Sequence, residues 1–323
     1  MNISCLKRWL VCIFLLAQIF LFPGVRPVFS GPKKAVAIIL TKSLKPYNEA
    51  LLGFKEELSR SGLELSFYEF DLDAAKDNLD ELINKISGLN PDLIFSIGTE
   101  STLFAKINLG KFPLVFSMVL DPIKNGIIES FAAPGKNITG VSLDVPIEAQ
   151  FRKLKEALPG VRRVGVLYEV GNQKLLKEVN AAAQKTGFSI VAKPVRSEAE
   201  VPQMIEVLTK EADTVWAQPD ALIYNVNSAS HIILTLIKSK VPFMAFSFSY
   251  VKAGALMAME SDYDSIGKQS ARIAKEVLAG KSPELIPVEA PENVSLAVNQ
   301  RIADLIGVKI TANILKESKN VYK

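Results

Sequence analysis

The chain has 323 residues, 49% of them hydrophobic and 22% charged, and a formal net charge of +4. That length and composition allow two domains with substantial cores and exclude a disordered or low-complexity chain. Removal of a leader ending at Ser30 would take Lys7, Arg8 and Arg26 and no acid, leaving +1, too little positive charge to argue for a nucleic-acid partner.

At the N-terminus, Lys7 and Arg8 precede the apolar run LVCIFLLAQIFLF (10–22), which stops at Pro23 and Gly24. A membrane-spanning helix needs about 20 apolar residues, so the run fits the core of a signal peptide. VFSG (28–31) places cleavage between Ser30 and Gly31, with an uncleaved N-terminal anchor as the alternative. Both cysteines, Cys5 and Cys12, lie inside this leader, and neither directly follows the apolar run where a lipoprotein's modified cysteine belongs. The expected mature protein is periplasmic or extracytoplasmic and has no thiol for a disulfide, a nucleophile or a metal.

Beyond the leader, buried-strand runs alternate with amphipathic helices. Strands are predicted over 36–43, 63–70, 91–100 and 112–119, with helices over 47–62 and 77–89. The order then returns at an offset of roughly 120 to 130 residues, about one domain length. This second pass offers strands over 162–169, 188–195, 213–220 and 241–249 and helices over 173–187 and 201–211. Continuous apolar strands between helices indicate parallel sheets covered on both faces. The fold class is α/β, and two such sheets facing one another would share a ligand cleft at the carboxyl ends of their strands.

Motifs for catalysis are absent from the sequence. The single histidine, His231, lies in a helical segment with no carboxylate three or four residues away, which suits a structural or surface role. There is no G-x-S-x-G, G-x-G-x-x-G or G-x-x-x-x-G-K-[ST]. Asp71, Asp73, Asp262 and Asp264 occupy turn-like sequence suited to helix capping. The expectation is a protein that is not an enzyme and carries no metal or cofactor.

Strand ends supply the candidate ligand-binding residues. The first pass offers Thr41 and Ser43, then Thr99 and Ser101 in a hydroxyl-rich turn opening a helix, then Asp121. The Gly98–Ser101 turn either holds a ligand carboxylate or simply caps the helix, and Glu100 competes for the same place. The second pass offers Tyr168, Asn172, Asp220, Ser247 and Phe248. Asp220 either pairs with a ligand ammonium or caps the next helix, and Phe246 and Tyr250 join the aromatic residues as candidate apolar walls. Trp216, in mid-strand, is expected in the core. An anion holder and a cation holder between aromatic walls would suit an amino acid such as phenylalanine, tyrosine, tryptophan or leucine.

The segment LVFSMVLDPIKNGIIESFAAPGKNITGVS (114–142) resembles the signature of ABC-transporter substrate-binding proteins of the tryptophan/tyrosine type. PDLIFSIGT, LKEALPGVRRVGVLY and VPFMAFSFSYVKAGALMAM follow the same order. The resemblance implies two Rossmann-like lobes in periplasmic-binding-protein type I architecture. Their expected bounds are 31–143 with 262–290 and 144–261 with 291–323. It also implies a monomer that closes by hinge motion on a small-molecule ligand and delivers it transiently to an ABC permease of the inner membrane. A ligand-presenting sensory module for a membrane receptor or kinase is the alternative on the same fold. Glu100, Leu120 and a loop after Tyr168 about three residues shorter than usual depart from the family pattern at the expected cleft mouth. Asp121-Pro122 is expected to fix an extended turn, since proline restricts the preceding residue.

Overall fold

The computed structural model describes residues 33–323, so the leader, its cysteines and its cleavage point lie outside the described residues. The first sheet is built from β1 (Lys34–Leu40), β2 (Leu65–Asp71), β3 (Leu93–Ile97), β4 (Leu114–Val119) and β5 (Ile138–Ser142). Three helices intervene, α1 (Lys45–Ser59), α2 (Leu79–Leu89) and α3 (Thr99–Asn108). Strand order is β2-β1-β3-β4-β5, with every pairing parallel. Alternation along β1 serves both faces: Val36, Ile38 and Leu40 pack with α1, while Ala37 and Ile39 pack with Ile86 of α2 and Phe104 of α3.

The second sheet follows α4 (Ile147–Ala157). It contains β6 (Arg163–Glu169), β7 (Ser189–Val195), β8 (Thr214–Trp216), β9 (Phe243–Ala245) and β10 (Met257–Ser261). Between these strands run α5 (Gln173–Thr186), α6 (Val201–Glu211), α7 (Ala229–Lys238) and α8 (Phe248–Ala253). After α9 (Tyr263–Leu278) come β11 (Val294–Asn299), α10 (Gln300–Ile306), α11 (Ala312–Glu317) and β12 (Asn320–Tyr322). The order is β12-β11-β10-β9-β8-β6-β7, and β10 with β11 is the antiparallel pair. Within it, β7-β6-β8-β9-β10 repeats the strand order of the first sheet, so the two lobes are α/β copies with Rossmann-like winding.

Helix α9 leaves the second sheet and packs along α1 of the first. Two glycines permit the approach: a Cβ on Gly267 would overlap the Ala50 carbonyl, and one on Gly53 would overlap the Asp264 carbonyl. The segment after α9 pairs with the edge of the first sheet through Glu289 and Val141, and β11 then returns to the second.

Two strand predictions need correction. The run over 213–220 is a strand only at β8, and the run over 241–249 ends at Ala245, with Ser247 and Phe248 opening α8. Apolar character continues past both strands, but Glu260 accepts the Phe248 amide at 2.8 Å and turns the chain into a helix. Gly254 ends α8 at φ 131°. Trp216 is fully buried, and its Nε1–H donates to Gln150 at 2.8 Å. His231 is exposed on α7.

Candidate functional site

Both sheets reverse direction of winding at a definite point, and in open parallel sheets that is where a crevice forms. In the first lobe the reversal falls between β1 and β3, which brings Thr41 beside the Gly98–Ser101 turn. Thr41 and Ser101 are buried, and their hydroxyls serve the turn itself. Thr41 Oγ1 accepts the Ser101 amide at 3.1 Å, while Ser101 Oγ donates to the Ile97 carbonyl at 2.8 Å. Gly98 is required here, since it adopts φ 100° and a Cβ would stand 2.6 Å from Thr41 Oγ1 and 2.9 Å from the Tyr47 hydroxyl. Helix α3 starts without a side-chain cap, so Thr99 caps nothing and Glu100 stays exposed in its first turn. Burial, reinforced by the Glu100 charge, raises the Tyr47 phenol above its ordinary range. Ser43 is exposed and accepts the Asn48 side-chain amide at 3.2 Å.

In the second lobe the reversal lies between β6 and β8. Tyr168 packs against the core there, and Asn172 accepts the Leu175 amide at 3.2 Å as the N-cap of α5. Asp220 accepts the Leu222 and Ile223 amides at 2.9 and 3.1 Å, the turn-holding arrangement rather than an open carboxylate. Its charge adds to burial in pushing up the phenol of Tyr224. Ser247 Oγ lies 2.7 Å from Ser249 Oγ, and the Phe248 ring packs toward Val251 and Ala297.

A cleft of about 740 Å³ opens between the lobes, within the size range of small-molecule sites. Of the predicted residues, Asp121, Asn172 and Ser247 line it. Thr41, Ser43, Thr99, Ser101, Tyr168, Asp220 and Phe248 lie outside its lining. The cleft adds polar groups that sequence reasoning missed, chiefly Asp144, Lys174, Glu178 and Glu260.

Asp121 is the centre of this wall, and its backbone corrects an expectation. It adopts φ 39° instead of an extended conformation, although Pro122 follows. Met118 is also left-handed, at φ 59°, where β4 slips register against β5 between Phe116 and Val119. The strained turn is held by polar contacts: the Asp121 amide donates to Asp144 Oδ2 at 2.8 Å, and Asn125 Nδ2 donates to the Leu120 carbonyl at 2.8 Å. Across the cleft, Lys174 on α5 donates to Asp121 Oδ1 at 2.6 Å. This ion pair joins the two walls of the cleft.

Burial raises the Asp144 carboxyl to about 6, with the Asp121 charge adding to the shift and the Asp121 amide opposing it. For Lys174 burial acts downward, but Asp121, Glu178 and Asp144 outweigh it and hold the ammonium above its ordinary range. On the adjoining wall, Glu260 accepts the Tyr263 hydroxyl as well as the Phe248 amide, and burial together with that bond raises the Tyr263 phenol. The arrangement offers fixed charges of both signs beside apolar walls, with no histidine or thiol among the lining residues.

The model of the ABC transporter substrate binding protein family matches residues 35–322. The chain is 28% identical over 233 residues to the tyrosine-binding protein of Clostridioides difficile, covering 71% of this chain and 67% of that protein. Among solved structures it is similar to the ligand-free, open form of a substrate binding protein with adhesive properties from Clostridium difficile. That likeness has 24% identity, 90% and 99% coverage of the two chains and a TM-score of 0.75. It is also similar to a domain in complex with L-tryptophan from Streptococcus pneumonia, at 23% identity, 88% and 99% coverage and a TM-score of 0.62. The architecture is that of the type I periplasmic binding proteins, and the chain belongs to the ABC transporter substrate binding protein family.

Proposed function

We propose that the protein captures a small amino-acid-like solute outside the cytoplasm and hands it to an ABC permease, without chemically changing it. The observation that carries this reading is the interlobe cleft, with Asp121 and Lys174 paired across it, in a chain of a substrate-binding family. The names of the relatives, one a tyrosine-binding protein and one bound to L-tryptophan, support an amino acid with an apolar side chain. Export is supported by the N-terminal leader read from sequence, and no helix among the described residues is long and apolar enough to cross a membrane. Lobe bounds of 31–143 with 262–290 and 144–261 with 291–323 are part of the proposal, with hinge motion at the crossings between them.

A thermal-shift screen of the purified protein against amino acids, peptides, sugars and purines tests the reading. An amino acid should raise the melting temperature in proportion to the logarithm of its concentration, as mass action requires. Asp121→Asn should weaken that ligand by about ten-fold or more, the worth of one charge-assisted hydrogen bond. A sugar or purine as the hit would refute the amino-acid assignment.

A further inference from the structure

We propose that Lys174 and Asp144, together with Asp121, form the charge-reading end of the cleft, which takes the free carboxylate and the free ammonium of one zwitterionic ligand. This rests on the amino-acid reading above and names the residues that enforce it.

The three side chains come from different parts of the chain and meet at one end of the cleft. Asp121 ends β4 of the first lobe, Asp144 lies in the crossing to the second, and Lys174 stands in the first turn of α5. Their hydrogen bonding is incomplete in a way that matches a zwitterion. Asp121 Oδ1 accepts from Lys174 Nζ and the Lys124 amide, and Asp144 Oδ2 accepts the Asp121 amide. Among the described residues, Asp121 Oδ2 and Asp144 Oδ1 take no protein donor, so two residues that line the cleft keep acceptor capacity to spare. An ammonium brings three donors and one positive charge. Among the described residues, Lys174 in turn is met by carboxylates alone, Asp121 and, at 3.7 Å, Glu178. It keeps donor capacity for a ligand carboxylate.

Charge points the same way. Asp121, Asp144 and Glu178 face a single ammonium in this corner, and the other lining lysine, Lys185, is occupied by Glu148 at 2.7 Å. A ligand ammonium compensates part of that excess locally, and a ligand carboxylate has one cation, Lys174, to meet. Much of the remaining wall is apolar, with Leu120, Phe131, Ile147, Leu175, Phe246 and Met259, while Glu260 on the adjoining wall is engaged by Tyr263 and the Phe248 amide. A neutral sugar or purine can donate hydrogen bonds to these carboxylates but brings no positive charge to meet them in a desolvated site, which disfavours it. The burial that holds Asp144 reluctant to ionise is consistent with a group kept for ligand contact at some cost to the empty protein.

Calorimetric titration near neutral pH tests the inference with two matched sets. L-tyrosine is compared with tyramine, which lacks the carboxylate, and phloretate, which lacks the ammonium; L-leucine is compared with isoamylamine and isocaproate. At least one amino acid should bind about 100-fold more tightly than either of its matched analogues. Lys174→Met should weaken that amino acid about 10- to 100-fold while leaving its amine analogue unchanged, and Lys174→Arg should recover part of the loss. Asp144→Asn, which keeps an oxygen for the Asp121 amide, should weaken the amino acid and spare the acid analogue. Melting of each variant without ligand checks folding independently of these ratios. If the parent binds an amino acid and Lys174→Met and Asp144→Asn leave both its affinity and its preference over the analogues intact, the charge-reading assignment is overturned and the amino-acid reading stands. If the parent binds neither amino acid set, and the wider screen returns no amino acid, the functional reading falls and this inference with it.

Discussion

Asp144 shows how a single side chain can oppose the fold that contains it. Its carboxyl is raised to about 6 by burial, so the folded protein disfavours the charged form. The sign follows from linkage: above about pH 6 the ionised group lowers stability in full, and the penalty disappears as pH falls toward the ordinary aspartate range. Asp144→Asn should therefore stabilise the ligand-free protein at pH 8, by on the order of 3 kcal/mol at most, and the gain should vanish near pH 4. Urea unfolding of parent and variant across that range checks it, and a variant less stable at every pH would contradict the account. Asp121 was legible in the sequence because an Asp-Pro pair at a strand end attracts notice. Asp144 and Lys174 were not, because they meet Asp121 across 23 and 53 residues of chain, and no local pattern encodes that meeting. Thr41 and Ser101 were legible as a hydroxyl pair but not as one already satisfied by its own turn.

At the scale of elements, the contact of α9 with α1 depends on the absence of side chains at Gly53 and Gly267. Gly267→Ala forces a methyl into the Ala50 carbonyl and should destabilise the protein by about 2 to 3 kcal/mol, since a helix backbone cannot give way as a flexible side chain would. Chemical denaturation measures this, and an unchanged midpoint would mean that the helices separate easily. Helices and strands with a clear apolar period were readable from sequence, α6 to the residue. The short ones were not. β8 and β9 each span 3 residues, and apolar sequence runs past them into turns whose direction is set by distant partners such as Glu260. Elements α10, α11 and β12 at the C-terminus were also missed; β12, again 3 residues, pairs only with β11.

For the whole molecule, the duplication read from sequence is realised as two sheets, with the strand order of the first repeated within the second. The copies are nonetheless unlike: the second extends through the antiparallel β11 and the added β12, while the first borrows α9. That loan sets the order in which the molecule can be completed during synthesis. The first sheet leaves the ribosome early, but the face of α1 that receives α9 stays uncovered until most of the second lobe has been translated. A fragment of residues 33–143 should accordingly bind a hydrophobic dye and unfold without a cooperative transition, whereas adding a peptide of residues 262–290 should suppress the dye signal. The lobe made first therefore cannot close its core until a helix encoded beyond most of the second has been made.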